Sequence, residues 1–188
     1  MSSTSISLHR RWLPALAVAL AALLAPLASL AADRGALERD ARAVLQQLLA
    51  AEPTAKLLHK EAVAVLVFPK IIKAGLIVGG QYGDGVLFRG GKAVGFYNTA
   101  GASYGLQAGA QQYGYALMLM NEKAVAALNA NDGFEIGAGP SLVVVDQGMS
   151  KSLTTTTVRE DIYAFVFSQK GLMAGIGLQG NKITRLAD

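Results

Sequence analysis

The sequence is poor in the residues that usually build covalent or metal-bound sites. Its 188 residues include no cysteine, two histidines and one tryptophan, and only His59 among these lies beyond residue 31. Without cysteine the chain has neither a disulfide framework nor the thiol that carries the lipid of a bacterial lipoprotein. Spaced clusters of acidic residues are also missing. We therefore expect no metal and no cofactor, because zinc and calcium sites of the common kinds need such clusters.

Catalytic patterns are equally scarce. A Ser-His-Asp triad would have to use His59, and no nucleophile-elbow sequence accompanies it. The segment Gly175–Gly180 spells G-x-G-x-x-G, but a dinucleotide site needs a following helix and a downstream acid, and only eight residues remain. We expect a protein that is not an enzyme. An enzyme that depends on His59 is the alternative, and a panel of hydrolase substrates would test it.

Charge is absent from the apolar run Trp12–Leu30, which follows two arginines. Ser29 and Ala31 then place small residues at the positions that a signal peptidase requires. Residues 1–31 are predicted to be a secretory signal peptide, with the general and twin-arginine routes both open, and residues 32–188 a single exported domain. A membrane-anchoring helix is the alternative, against which the two prolines of the run argue. The predicted location is periplasmic or secreted, with peripheral membrane association.

Periodicity predicts an α+β fold. Helical spacing of apolar residues indicates helices over 33–50, 53–60 and 122–128. The first of these helices is expected either to pack on the domain core or to lie at a membrane interface. Short β-branched runs elsewhere indicate strands, with Tyr113–Met120 expected to be central because it is apolar on both faces, and frequent glycines indicate strong curvature. Arg89-Gly90-Gly91-Lys92 is predicted to be a hairpin turn, Asn121 the N-cap of the last helix, and residues 148–157 a loop that partly extends into strand. The predicted architecture is a pair of N-terminal helices on a strongly curved, mainly antiparallel, barrel-like sheet, with one further helix.

Two stretches of predicted strand carry features that bear on function. Val63–Phe68 and Gly75–Val78 are expected to be separate strands, because Pro69 ends the first. Ser103–Gln111 alternates, with glycines and glutamines on one face, and is expected to be a single strand. Such a face admits a close approach by another layer or lines a groove. It is the predicted surface for the alternative function, a protein-interaction or structural module of the cell envelope.

The order of motifs resembles the SYLF family of lipid-binding domains. The resemblance begins at Ala62 with A-x-x-x-L-x-F-P-K-x-x-K-A-G-x-x-x-G-G-x-Y-G-x-G-V-L and covers most of the chain after residue 34. It continues through Gly105–Gln111 and closes with Lys170–Gly175. Where the family usually has a Gly-Trp-Ser-type stretch, this chain has Gly95-Phe96-Tyr97-Asn98. The resemblance implies lipid binding, with phosphoinositide and actin-filament binding in eukaryotic relatives.

Basic residues are concentrated in one part of the chain. Residues 56–92 hold six lysines and arginines against two acids, whereas the chain beyond residue 31 totals 15 against 13. A solvated surface is one interpretation. The other, which the family resemblance favours, is a basic patch that contacts anionic phospholipid or phosphoinositide headgroups at a membrane surface. The predicted lipid-binding residues are Lys56, Lys60, Lys70, Lys73, Arg89 and Lys92. A further protein partner is compatible with this hypothesis, whereas a weak net charge does not favour nucleic acid.

Overall fold

The computed structural model describes residues 33–75, 78–104, 109–130, 133–145, 159–171, 178 and 180–187. The predicted signal peptide and the predicted loop at 148–157 lie outside these residues. The chain forms two compact units, Met1–Ala36 and Leu37–Asp188. Of the first unit only residues 33–36 are described, and they are helical.

Three helices are present in the described part of the chain, at the predicted places. They are α1 (33–51), α2 (Pro53–Glu61) and α3 (Glu122–Leu128). Pro53 opens α2, where its missing backbone N–H costs nothing. The side chain of Asn121 caps α3 by accepting a hydrogen bond from the backbone N–H of Ala124 at 2.9 Å. Among the described residues, no helix is long and apolar enough to cross a membrane.

Eight strands form one sheet in the described part of the chain. They are β1 (Ala64–Gly75), β2 (Val78–Arg89), β3 (Lys92–Tyr104), β4 (Gly109–Leu119), β5 (Phe134–Glu135), β6 (Leu142–Val144), β7 (Ile162–Gly171) and β8 (Lys182–Arg185). Their order is β5-β8-β3-β2-β1-β4-β7-β6, and only the β6–β7 pair is parallel. The predicted α+β class with a mainly antiparallel sheet is confirmed.

The sheet is an open, strongly curled half-barrel. The hydroxyl of Tyr115 on β4 donates to the hydroxyl oxygen of Thr99 on β3 at 3.0 Å. These strands are separated by β1 and β2, so in a flat sheet they would lie about 14 Å apart. The contact is possible only because the sheet curls toward the face that carries both side chains. We call this face the concave face and the opposite one the convex face.

The predicted break at Pro69 is wrong. β1 runs through Pro69 without ending, and its register with β4 shifts by one residue between Phe68 and Ile71. This shift is a β-bulge, which accommodates a residue that cannot donate to the ladder. The first predicted strand therefore continues to Gly75, with a bulge at Pro69 and Lys70. Of the second predicted strand, Gly75 ends β1, Val78 begins β2, and residues 76–77 lie outside the described part.

The predicted single strand Ser103–Gln111 is also wrong. Its first two residues end β3 and its last three begin β4, and residues 105–108 lie outside the described part. The hairpin prediction at 89–92 is confirmed, because Gly90 and Gly91 join β2 to β3 with positive φ angles of 56° and 76°. Glycine adopts such angles without steric cost, which is why this turn type selects it.

Each face of the sheet has its own apolar core. On the convex face α1 and α2 cover the halves of β1 and β2 that contain Val65, Val86 and Phe88. Leu45 and Leu58 are buried against these three residues. On the concave face α3 packs with the inward side chains of the strands. The concave core includes Leu66, Phe68, Ile71, Leu87, Tyr97, Tyr113, Tyr115, Leu117, Leu128 and Ile183. Within the described part of the chain, the helices cover only one half of the convex face, and Ile72 and Tyr82 on the other half are exposed.

Candidate functional site

The six predicted lipid-binding residues lie as three pairs on different elements of the fold. Lys56 and Lys60 lie one turn apart on α2, and both are exposed. Arg89 and Lys92 flank the Gly90–Gly91 turn that joins β2 to β3. The remaining two, Lys70 and Lys73, lie toward the far end of β1.

A pocket lies where α1, the end of α2, the start of β1 and the β2–β3 turn meet. We call it the helix–hairpin pocket, and its volume is about 520 Å³. Its lining residues are Arg42, Leu45, Gln46, Leu49, His59, Lys60, Ala62, Val63, Ala64, Val65, Phe88, Gly90 and Gly91. The pocket therefore combines an apolar base with the side chains of Arg42, His59 and Lys60. The turn between Arg89 and Lys92 forms part of its wall.

Arg42 connects the helix to the hairpin at this pocket. Its guanidinium donates to the carbonyl oxygen of Gly91 at 2.9 Å and pairs with Glu38 at 2.7 Å. The guanidinium carbon also lies 4.9 Å from the centre of the Phe88 ring, within cation–π range. These three contacts fix the side chain, so it offers the pocket a positive charge in a defined position.

The charges around the pocket are unequally neutralised. Arg89 forms an ion pair with Glu122, and Arg42 forms one with Glu38. Within the described ranges, Lys56, Lys60 and Lys92 form no ion pair, and all three are exposed. These three lysines therefore carry positive charge that no ion pair among the described residues neutralises.

Lys70 and Lys73 do not join this group. Six to nine residues of β1 separate them from Ala64 in the pocket wall, a distance of about 20–30 Å at the rise of a strand. Lys73 also projects from the concave face, on the same side as Ile71, whereas α2 packs on the convex face. The sequence prediction treated all six residues as one patch. Of these, Lys60 lines the helix–hairpin pocket, Lys56 lies one helical turn from it, and Arg89 and Lys92 flank the turn in the pocket wall.

Arg42 and His59 are pocket residues that the sequence interpretation did not include. The contact of Arg42 with Gly91 spans 49 residues of the chain. His59 lines the pocket beside Lys60. No local spacing in the sequence predicts such contacts, because they depend on how α1 and α2 pack on the sheet. Among the described residues, no cluster of potential ligands could hold a metal ion.

Residues 100–188 match the model of the Ysc84 family, described as Las17-binding protein actin regulator. This family is also called SYLF, and the match agrees with the family prediction made from the sequence. The match covers slightly less than half of the 188 residues and begins after the helix–hairpin pocket. No curated protein matches the chain.

Proposed function

We propose that this protein binds anionic phospholipid or phosphoinositide headgroups at a membrane surface through the helix–hairpin pocket. The observation that carries the proposal is a partly apolar pocket lined by both Lys60 and the Gly90–Gly91 turn, with the exposed Lys56 one helical turn from Lys60 and the exposed Lys92 next to Gly91. Lys56 and Lys60 come from α2, and Lys92 comes from the hairpin. SYLF domains are a binding family, which supports a non-enzymatic role.

The pocket offers each part of a headgroup a different kind of contact. The phosphate is held near Lys60 and the guanidinium of Arg42, which already has its orientation fixed by Gly91 and Phe88. The glycerol and the first acyl carbons lie against the apolar base formed by Leu45, Leu49 and Val63. A headgroup that is anionic and also amphipathic therefore fits better than either a free ion or a neutral lipid.

Charge alone gives weak binding. Each basic side chain near an anionic bilayer contributes about 1 kcal/mol, so Lys56, Lys60 and Lys92 contribute about 3 kcal/mol. This is weaker than millimolar affinity, which needs about 4 kcal/mol. Burial of roughly 100 Å² of lipid in the apolar base adds about 2.5 kcal/mol. Together the two contributions give an affinity of the order of 0.1 mM, so the protein binds reversibly and responds to salt.

The proposed setting is the outer face of a cell membrane reached by export. The apolar leader at residues 1–31 supports this proposal, because it has the charge and small-residue pattern of a signal peptide. We do not extend the actin-regulating role in the family description to this chain, since an exported protein would not meet a cytoskeleton.

Vesicle cosedimentation at two salt concentrations tests the proposal. Purified protein is mixed with vesicles of neutral phosphatidylcholine or with vesicles containing 30% phosphatidylglycerol, at about 50 and 500 mM salt, where screening differs strongly. We expect binding to the anionic vesicles at low salt and loss of most of it at high salt. Equal binding to neutral vesicles, or no dependence on salt, would reject the proposed site.

A protein-interaction role is the second candidate. Ile72 and Tyr82 are direct partners across β1 and β2, and on the convex face they are 51% and 58% exposed. Ala74, Ala100 and Ala102 lie near them on the same face, and Gln112 is the direct partner of Ile72 on β4. Within the described part of the chain, this half of the face is therefore largely apolar, and Ile72 and Tyr82 are exposed on it. This role is favoured if the wild-type protein binds no vesicle and if replacing Ile72 and Tyr82 by serine abolishes its self-association or its capture of a partner.

A further inference from the structure

A row of polar side chains crosses the concave face near the ends of β1, β2, β3 and β4. Lys73 on β1 lies directly between Gln81 on β2 and Gln111 on β4, as cross-strand partners of both. Directly opposed residues of an antiparallel pair share a face, with β-carbons about 5 Å apart. The next partner along the row is Gly101 on β3. We call Lys73, Gln81, Gln111 and Asn181 the mouth cluster, because these strands end within a few residues of this row.

Asn181 completes the cluster from the segment just before β8. Its carboxamide oxygen accepts a hydrogen bond from the side-chain amide of Gln81. Tyr113 donates its hydroxyl to the Gln81 oxygen at 2.6 Å, so both ends of Gln81 are engaged. A β-carbon at Gly101 would overlap the Asn181 carboxamide, and glycine at this position is what leaves room for it.

Two atoms of this cluster are buried without a partner. The side-chain oxygen Oε1 of Gln111 and the side-chain nitrogen Nδ2 of Asn181 form no hydrogen bond among the described residues. Gln111 is 4% exposed and Asn181 is 1% exposed, so bulk water does not readily form hydrogen bonds with their side chains. Buried polar groups are almost always satisfied in native proteins, and an unpaired acceptor and an unpaired donor in one cluster need an explanation.

Lys73 adds a positive charge at the same place. It is only partly exposed, and it forms no ion pair or hydrogen bond with another residue of the described part. The cluster thus presents one cation, one amide donor and one amide acceptor, all turned to the concave side. Burial raises the pKa of Tyr113 to about 12, so this residue remains a neutral donor that holds Gln81 in place.

We propose that the mouth cluster binds a small hydroxylated anion, such as a hydroxy acid or a polyol phosphate. The acidic group of the ligand accepts from the ammonium group of Lys73 and from Nδ2 of Asn181. A neighbouring hydroxyl donates to Oε1 of Gln111. Each of the unpaired atoms is satisfied by such a ligand, whereas a simple anion leaves the Gln111 acceptor unpaired and a neutral polyol leaves Lys73 without a counter-charge.

This site is independent of the proposed membrane site. It lies on the concave face, whereas the helix–hairpin pocket is formed with α1 and α2 on the convex side. A polyol phosphate occurs both as a free metabolite and as part of a lipid headgroup. The two sources are distinguished by testing the free molecule and intact vesicles on the same set of variants.

The test is a titration of ¹⁵N-labelled protein followed through side-chain amide signals. Glycerol 3-phosphate and D-gluconate are the probes, with glycerol and inorganic sulfate as the comparisons that lack the charge or the hydroxyl. We expect the amide signals of Gln81, Gln111 and Asn181 to shift with both probes, with at least ten-fold weaker binding of either comparison. If no probe shifts these signals, ordered water satisfies the two atoms and the proposal is wrong.

Variants assign the binding to the cluster. Lys73→Met and Gln111→Leu should each weaken glycerol 3-phosphate binding at least ten-fold. Lys70→Met, an equivalent change three residues away on an exposed bulge, should leave it unchanged. The dispersed backbone signals and the unfolding midpoint of each variant show whether it is folded. Unchanged probe binding by folded Lys73→Met would overturn the proposal. Retained vesicle binding by the same variant would leave the membrane proposal standing, so the two can fail separately.

Discussion

Lys60 and Lys73 lie on opposite faces of the same curled sheet. Lys60 belongs to α2, which packs on the convex face, whereas Lys73 projects from β1 on the concave face between Gln81 and Gln111. A flat bilayer cannot contact both side chains at once. The basic segment of the sequence therefore serves two different surfaces, and its charges must be considered separately.

The curl of the sheet depends on glycines of β2 that face inward. A β-carbon at Gly85 would lie 2.6 Å from the Phe68 ring and 2.8 Å from the backbone oxygen of Val67. Because a backbone atom cannot move aside easily, Gly85→Ala should destabilise the fold by about 1–3 kcal/mol, the range for overpacking. Chemical denaturation measures this change.

The control for Gly85→Ala is Gly80→Ala in the same strand. The nearest atom to a β-carbon at Gly80 is 4.0 Å away, so this substitution meets ordinary contact distances. We expect its free energy of unfolding to stay within about 0.5 kcal/mol of wild type, as for most surface changes. Equal destabilisation by both substitutions would show that lost glycine flexibility, rather than the close approach at Gly85, governs the effect.

Local patterns in the sequence predict the helices and the tight hairpin well. The cap at Asn121, the proline at the start of α2 and the Gly90–Gly91 turn depend on neighbouring residues alone. The central strand around Tyr115 is also predicted, because it is apolar on both faces. These features need no knowledge of which elements become neighbours.

The bulge and the two sites could not be predicted in the same way. A proline signals an interrupted ladder, but whether the strand stops or bulges depends on what pairs with it on both sides, here β2 and β4. Gln81 and Asn181 meet across 100 residues, and Arg42 and Gly91 meet across 49. Separations of this size are set by the curl of the sheet and by helix packing, which leave no periodic signal.

Asp161 connects the starts of α3, β6 and β7 on the concave side through hydrogen bonds and an ion pair. Its carboxylate accepts hydrogen bonds from the side-chain amide of Asn121 at 2.7 Å and from the backbone N–H of Ser141 at 3.0 Å. It also pairs with Lys123 at 3.2 Å. These groups, led by Asn121, lower the pKa of Asp161 to about 2 from its ordinary value of 3.8. The ionised form therefore stabilises the start of α3, the start of β6 and the start of β7.

Stability should fall in acid because of this carboxylate. A lowered pKa in the folded state stabilises the fold fully above the ordinary value of 3.8, and the contribution is lost as the pH falls toward 2. Asp161→Asn should lose about 1–2 kcal/mol at pH 6, allowing for partial solvent screening, and little at pH 2. Denaturation curves between pH 2 and 6 measure the difference.

Glu160→Gln is the matched control for Asp161→Asn. The two carboxylates are adjacent in the chain, but the Glu160 side chain forms no hydrogen bond or ion pair within the described ranges. Its unfolding free energy should follow that of wild type across the pH range. A loss at pH 6 equal to that of Asp161→Asn would mean that general surface charge, and not the Asp161 contacts, is responsible.

Processing of the N-terminus can be checked by intact mass. We expect the exported protein to begin at Ala32, or one residue to either side, because Ser29 and Ala31 satisfy the small-residue rule of signal peptidase. The measured mass should lack residues 1–31. A mature protein that retains them would be anchored by this segment, and its membrane association would then need no lipid site at all.

The central claim is that lysines at the helix–hairpin pocket bind anionic membranes, and a matched pair of charge reversals tests it most directly. One variant carries Lys56→Glu and Lys60→Glu. The other carries Lys70→Glu and Lys182→Glu, two exposed residues remote from the pocket, with the same change in net charge.

The measurement is the affinity of both variants for vesicles containing 30% phosphatidylglycerol at low salt. At about 1 kcal/mol for each charge removed or inverted, the first variant should bind at least about 30-fold more weakly than wild type. The second should bind within about three-fold of wild type, and both should keep the wild-type unfolding midpoint. Equal loss in the two variants, or full binding by the Lys56 and Lys60 variant, would contradict the account.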